Sequence, residues 1–136
     1  MAVAGSGAAT AARASASPDS VARAWSKSLN ANDNAAAAEL FAPNARVVQP
    51  GIEIILANRT LAIAFNDALP CAGRIVALTV HGNRAVATFV LGQRPKHHCT
   101  TPGVKAAALF VVRDGKITLW KQVAVPNPNA GGGPIA

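Results

Sequence analysis

Residues 109–123 read LFVVRDGKITLWKQV. Asp114-Gly115 is a dipeptide that favours a type I′ hairpin turn, whose central positions both need positive φ. The flanking segments, VKAAALFVVR (104–113) and KITLWKQVAV (116–125), are rich in strand formers and read as an antiparallel pair. Working back, GRIVALTV (73–80) and RAVATFVLG (84–92) flank His81-Gly82-Asn83, a second hairpin turn. The C-terminal half is therefore a meander of long antiparallel strands.

The N-terminal half has a different period. Pro18-Asp19-Ser20 opens a helix, with Asp or Ser able to cap it and Pro suited to a first turn. Val21, Ala22, Trp25, Ser28 and Leu29 fall on one face. Asp33 or Asn34 caps a second helix through AAAAELFA (35–42), with Leu40 and Phe41 packing inward. ARVVQP (45–50) is a short strand ended by Pro50-Gly51, and IEIIL (52–56) is a candidate second one. Thr60 caps a third helix, LAIAFNDAL (61–69), which Pro70 ends. Helices segregated ahead of an antiparallel meander give an α+β class, with the helices on one face of a curved sheet.

Length and composition narrow the functional classes. A chain of 136 residues is one domain, and 51% hydrophobic residues supply a core. No apolar run is long enough to cross a bilayer, so no membrane partner is expected. The formal net charge is +7, but the 13 Lys and Arg are scattered. Arg94, Lys96, His97 and His98 cluster without an interleaved aromatic residue, so the reading is a basic surface, not a nucleic-acid site. Residues 1–18 are Ala-, Gly- and Ser-rich without the apolar centre of a signal peptide and read as a disordered arm. Residues 127–136, Pro- and Gly-rich, read as a flexible tail, leaving 19–126 as the folded domain.

Two segments carry a resemblance. VARAWSKSLNANDNAAAAELFAPNARVV (21–48) resembles the opening of the nuclear transport factor 2-like superfamily, especially its SnoaL-like branch. LFVVRDGKITLWKQV resembles that family's closing hairpin, and together they span about 20–125. The resemblance implies a cone-shaped domain whose curved, mostly antiparallel sheet and three helices enclose a pocket. The family includes ketosteroid isomerases, polyketide cyclases, limonene epoxide hydrolases, scytalone dehydratases and non-catalytic members, so fold alone does not give function.

The site is read from residues. The epoxide-hydrolase branch pairs an Arg-x-Asp strand motif with an acid two places after the Trp of the last strand. Here Val90 and Gly92 align with the first pair and Gln122 replaces the last acid, so the resemblance argues against that chemistry. Ketosteroid-isomerase chemistry usually adds a Tyr donor, and this chain has no Tyr. Of six acids, Asp19, Asp33 and Asp114 suit caps and a turn. Glu39, Glu53 and Asp67 remain, and Glu53 and Asp67 are the catalytic candidates. Strand alternation and the same alignment turn Val47, Gln49, Val90, Trp120 and Gln122 inward, with Trp25 and Phe89 as further wall residues. The aromatic residues serve equally as core.

His81, His97, His98 and Cys99 show no recognisable metal-ligand spacing, and no glycine-rich phosphate loop is present, so no metal or cofactor is expected. The strand that begins near Cys71 runs away and the next one returns, which brings the loop holding Cys99 back towards Cys71. A disulfide and two separate thiols are the alternatives. The location is cytoplasmic, or exported if the two are bonded. The sequence supports a pocket protein for a small apolar or aromatic ligand. A cyclase, isomerase or dehydratase-type enzyme is the first alternative and a dimeric interaction module the second. Val111, Leu119 and Val123 on the last strands point to a homodimer through the outer sheet face.

Overall fold

The computed structural model describes residues 16–127. The expected arm and tail, apart from residues 16–18 and 127, lie outside the described residues. The elements are α1 (Pro18–Asn30), α2 (Asn34–Glu39), β1 (Phe41–Gln49), β2 (Ile52–Leu56), α3 (Arg59–Ala68), β3 (Ala72–His81), β4 (Arg84–Gly92), β5 (Lys105–Arg113) and β6 (Lys116–Val123). The strands form one curved sheet in the order β2-β1-β6-β5-β4-β3. The meander is antiparallel as expected. β1 instead runs parallel to β6, pairing Val47 with Trp120. A connection through α3 and four further strands separates β1 from β6, so the parallel pair needs no tight turn.

Local chemistry explains most boundaries. Asp114 and Gly115 sit at φ 52 and 76, the signs that a type I′ turn requires. Asp33 caps α2, its side chain accepting from Ala36 N at 3.0 Å. Ser17, not Asp19 or Ser20, is the N-cap of α1; its side chain makes no capping hydrogen bond, Asp19 lies inside the first turn, and Pro18 opens the helix. The buried face of α1 holds Ser26 where Ser28 was expected, because Ser28 bonds back to Ala24 O within its own helix.

Two expectations are corrected. The second helix stops at Glu39, and Phe41 opens β1 instead of closing the helix. Pairing with β6 takes over there: Phe41 stands beside Ile117, and Ile117 N donates to Leu40 O at 2.8 Å. The cap of α3 is Asn58, not Thr60. Asn58 is extended, so its side-chain oxygen can accept from Leu61 N at 2.9 Å.

The helices cover one sheet face around a cluster of rings. Trp25 meets Phe110, Trp120 and Phe89 with centroids 5.5, 5.7 and 5.9 Å apart. Phe65 of α3 meets Trp120 at 5.2 Å and Phe41 at 6.0 Å. Asn66, fully buried beside these rings, accepts from Trp25 Nε1 at 2.8 Å and donates to Ala62 O at 2.8 Å. Arg94, from the β4–β5 connection, is only 2% exposed. It donates to Asn66 O and Leu69 O, both at 2.6 Å, and to Asn34 Oδ1. It thus satisfies carbonyls at the end of α3 that the helix itself leaves open. Burial lowers the Arg94 pKa from its ordinary value, while the charge of Asp67 pulls it back up. Arg94 therefore leaves the basic surface cluster that the sequence suggested.

The sulfurs of Cys71 and Cys99 lie 2.08 Å apart, a disulfide that joins the α3–β3 loop to the β4–β5 connection. No helix among the described residues is long and apolar enough to cross a membrane.

Two stability predictions follow from this core. Trp25→Phe strands the buried Asn66 oxygen and should cost about 1–3 kcal/mol beyond the lost ring volume. Trp120 Nε1 has no acceptor among the described residues, so Trp120→Phe lacks that added cost. Urea unfolding of the two variants measures the difference. Reduction of Cys71–Cys99, which closes a loop of 28 residues, should lower stability by about 3–4 kcal/mol on the chain-entropy model. Thiol titration of the denatured, unreduced protein should find no free thiol.

Candidate functional site

The sheet and helices leave a cavity of about 220 Å³ at one end of the sheet. β1, β4 and β6 finish at this end, and β3 and β5 begin there. Trp25, Phe89 and Trp120 form the aromatic part of its wall, and Ala106 and Ala108 of β5 give it room. Leu69, Pro70, Cys71 and Thr101 supply loop residues to the wall. The disulfide is thus part of the cavity's construction.

Gly73 fixes the boundary between α1 and the sheet. Asn30 grips its backbone with two bonds, Nδ2 to Gly73 O at 2.8 Å and Gly73 N to Oδ1 at 2.9 Å. Ser26 Oγ adds a third at 3.0 Å. A Cβ at position 73 would stand 3.0 Å from the Phe89 ring, so glycine is what lets Phe89 keep its place in the wall.

The polar part of the wall is small. Gln49 of β1 and Gln122 of β6 lie on adjacent strands and both line the cavity. Continuing the Val47–Trp120 register by two residues puts them side by side on the inner face. Gln49 is half-buried and Gln122 is exposed at the opening. Neither carboxamide is hydrogen-bonded to another described residue. Among the described residues no Asp, Glu, His, Lys, Arg or Tyr lines the cavity.

The other sequence candidates fall elsewhere. Val47 is on the inner face but packed into the core at 1% exposure. Val90 is a correction: it lies on the outer face, paired with Arg74 and Lys105. Phe89 faces inward, and a strand of period two cannot turn its neighbour the same way. The inward positions at the end of β4 are Phe89 and Leu91, which are also uncharged. Glu53 is a second correction. It pairs with Val48 on the outer face, where Arg46 Nη2 meets its carboxylate at 2.8 Å. The hydrogen bond from Arg46, with that residue's charge, holds the Glu53 carboxyl below its ordinary pKa. Asp67 is a third: it is exposed at the end of α3, accepting from Asn34 at 3.0 Å and lying 3.3 Å from His97. Glu39, also exposed, pairs with Arg59 at 3.0 Å. Exposed carboxylates that do not line the cavity are poor general bases for a reaction inside it.

Sequence reasoning missed Ser26, Asn30, Gly73 and the loop residues. Asn66 was findable: it follows Phe65 and stands four places after Ala62 on one helix face. Arg94 carried no signal, because its partners are backbone carbonyls remote in sequence. Among the described residues no group of three or more His, Cys, Asp or Glu could hold a metal ion.

Comparison with known proteins agrees with this architecture. A candidate polyketide cyclase from Sinorhizobium meliloti superposes with a TM-score of 0.61 at 23% identity, over 76% of this chain and 94% of that one. An NTF2-like protein of unknown function from Cytophaga hutchinsonii gives 0.65 at 13% identity, over 83% and 94%. A protein with a ketosteroid isomerase-like fold from Catenulispora acidiphila, solved with trimethylamine, gives 0.64 at 19% identity, over 80% and 87%. At these identities the likeness is one of fold. No curated protein sequence matches the chain. The SnoaL-like domain model matches residues 22–120, and the chain belongs to that family within the NTF2-like superfamily.

Proposed function

We propose that the protein is a binding protein for a small apolar or aromatic molecule, without acid–base catalysis of its own. The observation that carries this reading is the cavity wall. It is largely apolar and aromatic, and among the described residues it holds no ionisable side chain and includes two carboxamides without a hydrogen-bond partner. Apolar pockets with a few convergent polar groups are the usual form of a small-molecule site. A cyclase, isomerase or dehydratase needs a proton acceptor within hydrogen-bond reach of the substrate. Glu53 and Asp67 are turned away from the cavity, which counts against them in that role.

The outer sheet face supports pairing of two chains. Ile55, Arg46, Leu119, Val111 and Arg84 stand in one cross-strand row there, with Val86, Leu109, Lys121, Val48 and Glu53 in the next. Such a face, apolar residues interspersed with charges of both signs, suits an isologous contact between two copies.

Native mass spectrometry of freshly purified protein should find a small molecule carried over, and a dimer mass. Light scattering should give a dimer at micromolar concentration, and Leu119→Asp should give a monomer that stays folded. A monomeric wild type overturns the pairing. Ligand affinity should be flat from about pH 6 to 8, since no group that titrates there lines the cavity. Gln122→Leu should keep the fold and weaken a polar ligand by about 1 kcal/mol, one neutral hydrogen bond. Turnover of an epoxide or ketosteroid by wild type, abolished in Gln122→Leu, would overturn the non-catalytic reading.

A further inference from the structure

Beside Ser26, Thr101 and the Trp120 indole N–H, the cavity's polar groups are the neighbouring carboxamides of Gln49 and Gln122, and that pair restricts what can bind. The inference rests on the binding reading above and goes on to the chemistry of the ligand. We propose that the ligand is a neutral, flat molecule of about two fused rings. One edge carries a hydrogen-bond donor beside an acceptor, as in a lactam, and it binds rings first with that edge against the two glutamines.

Three observations support this. The first is size. A dry apolar cavity of about 150 Å³ takes a benzene ring. At about 220 Å³ this cavity has room for a second ring but not for a large polycyclic system held inside. The second is the wall. Trp25, Phe89 and Trp120 present ring surfaces, which favours flat aromatic guests in stacked or edge-on contact. The third is charge. No cationic or anionic side chain lines the cavity, so an ionised guest would give up hydration without a counter-charge.

The polar edge follows from what a carboxamide needs. Each glutamine offers an NH₂ donor and a carbonyl acceptor, and neither is committed to another described residue. An acceptor-only guest would engage the NH₂ ends and leave the carbonyl of the half-buried Gln49 without a donor. A guest with donor and acceptor side by side satisfies both. Gln122, at the opening, keeps contact with water and sets the outer limit of the guest.

A matched set of probes tests this on the whole chain. 2-Quinolone carries the lactam edge, naphthalene has the same rings without it, and 2-naphthoate carries a negative charge instead. Titrations are followed by calorimetry and by the indole N–H signals of Trp25 and Trp120 in NMR spectra. The expected result is that 2-quinolone binds about 25-fold more tightly than either of the others, two neutral hydrogen bonds at about fivefold each. Gln49→Leu and Gln122→Leu should each weaken 2-quinolone about fivefold and leave naphthalene nearly unchanged. Equal binding of 2-quinolone and naphthalene, or a lactam preference that survives both substitutions, overturns the edge recognition while the binding reading stands. Tightest binding of 2-naphthoate overturns the neutral guest. If no probe shifts either indole signal, this inference and the binding reading fall together.

Discussion

The buried carboxamide of Asn66 holds the helical layer together. Its oxygen takes the Trp25 indole N–H and its nitrogen donates to Ala62 O, so one side chain ties α1 to α3. Its backbone carbonyl takes Arg94, whose other donor reaches Asn34 at the start of α2. Three helices and the β4–β5 connection therefore share one hydrogen-bonded centre. In a low-dielectric interior each unmet member of such a network costs more than a bond gained at the surface, and Arg94 Nε is the member without a partner among the described residues. The position of the helices over the sheet follows from it, and so does the space left between them.

That space is uncharged as a result of how the chain spends its acids. Glu39 and Glu53 pair with arginines on the surface, and Asp67 joins Asn34 and His97 outside the cavity. The cavity wall is left with rings, aliphatic side chains, Ser26, Thr101 and two glutamines.

The fold was legible because its signals are local. The Asp114-Gly115 turn, the alternation on either side of it and the helical spacing around Trp25 each follow from neighbouring residues. The parallel β1–β6 pair was not legible, since nothing between Phe41 and Gln49 encodes a partner some seventy residues on. The site was partly legible. Strand alternation placed Trp120 and Gln122 on the cavity side, and the bond between Cys71 and Cys99 followed from where a hairpin returns. Val90 went astray because alignment to a relative's motif was allowed to outrank the period of the strand. Glu53 and Asp67 became candidates by elimination, and elimination cannot see a salt bridge. Arg94 read as surface because arginines usually are; only the open carbonyls at the end of α3 explain its burial.

The disulfide also has a topological effect. With its ends 28 positions apart in the chain, Cys71–Cys99 closes β3, β4 and the hairpin turn into a covalent ring. Tension applied at the two termini passes through the sulfurs and bypasses the ring. The oxidised chain, drawn taut, is shorter than the reduced one by about 90–100 Å, the extended length of the enclosed segment. A cut in the peptide chain inside the ring leaves the two pieces joined. The wall segments around Cys71 and the β4–β5 connection are thus held in one piece by a bond that neither unfolding nor a single backbone nick removes.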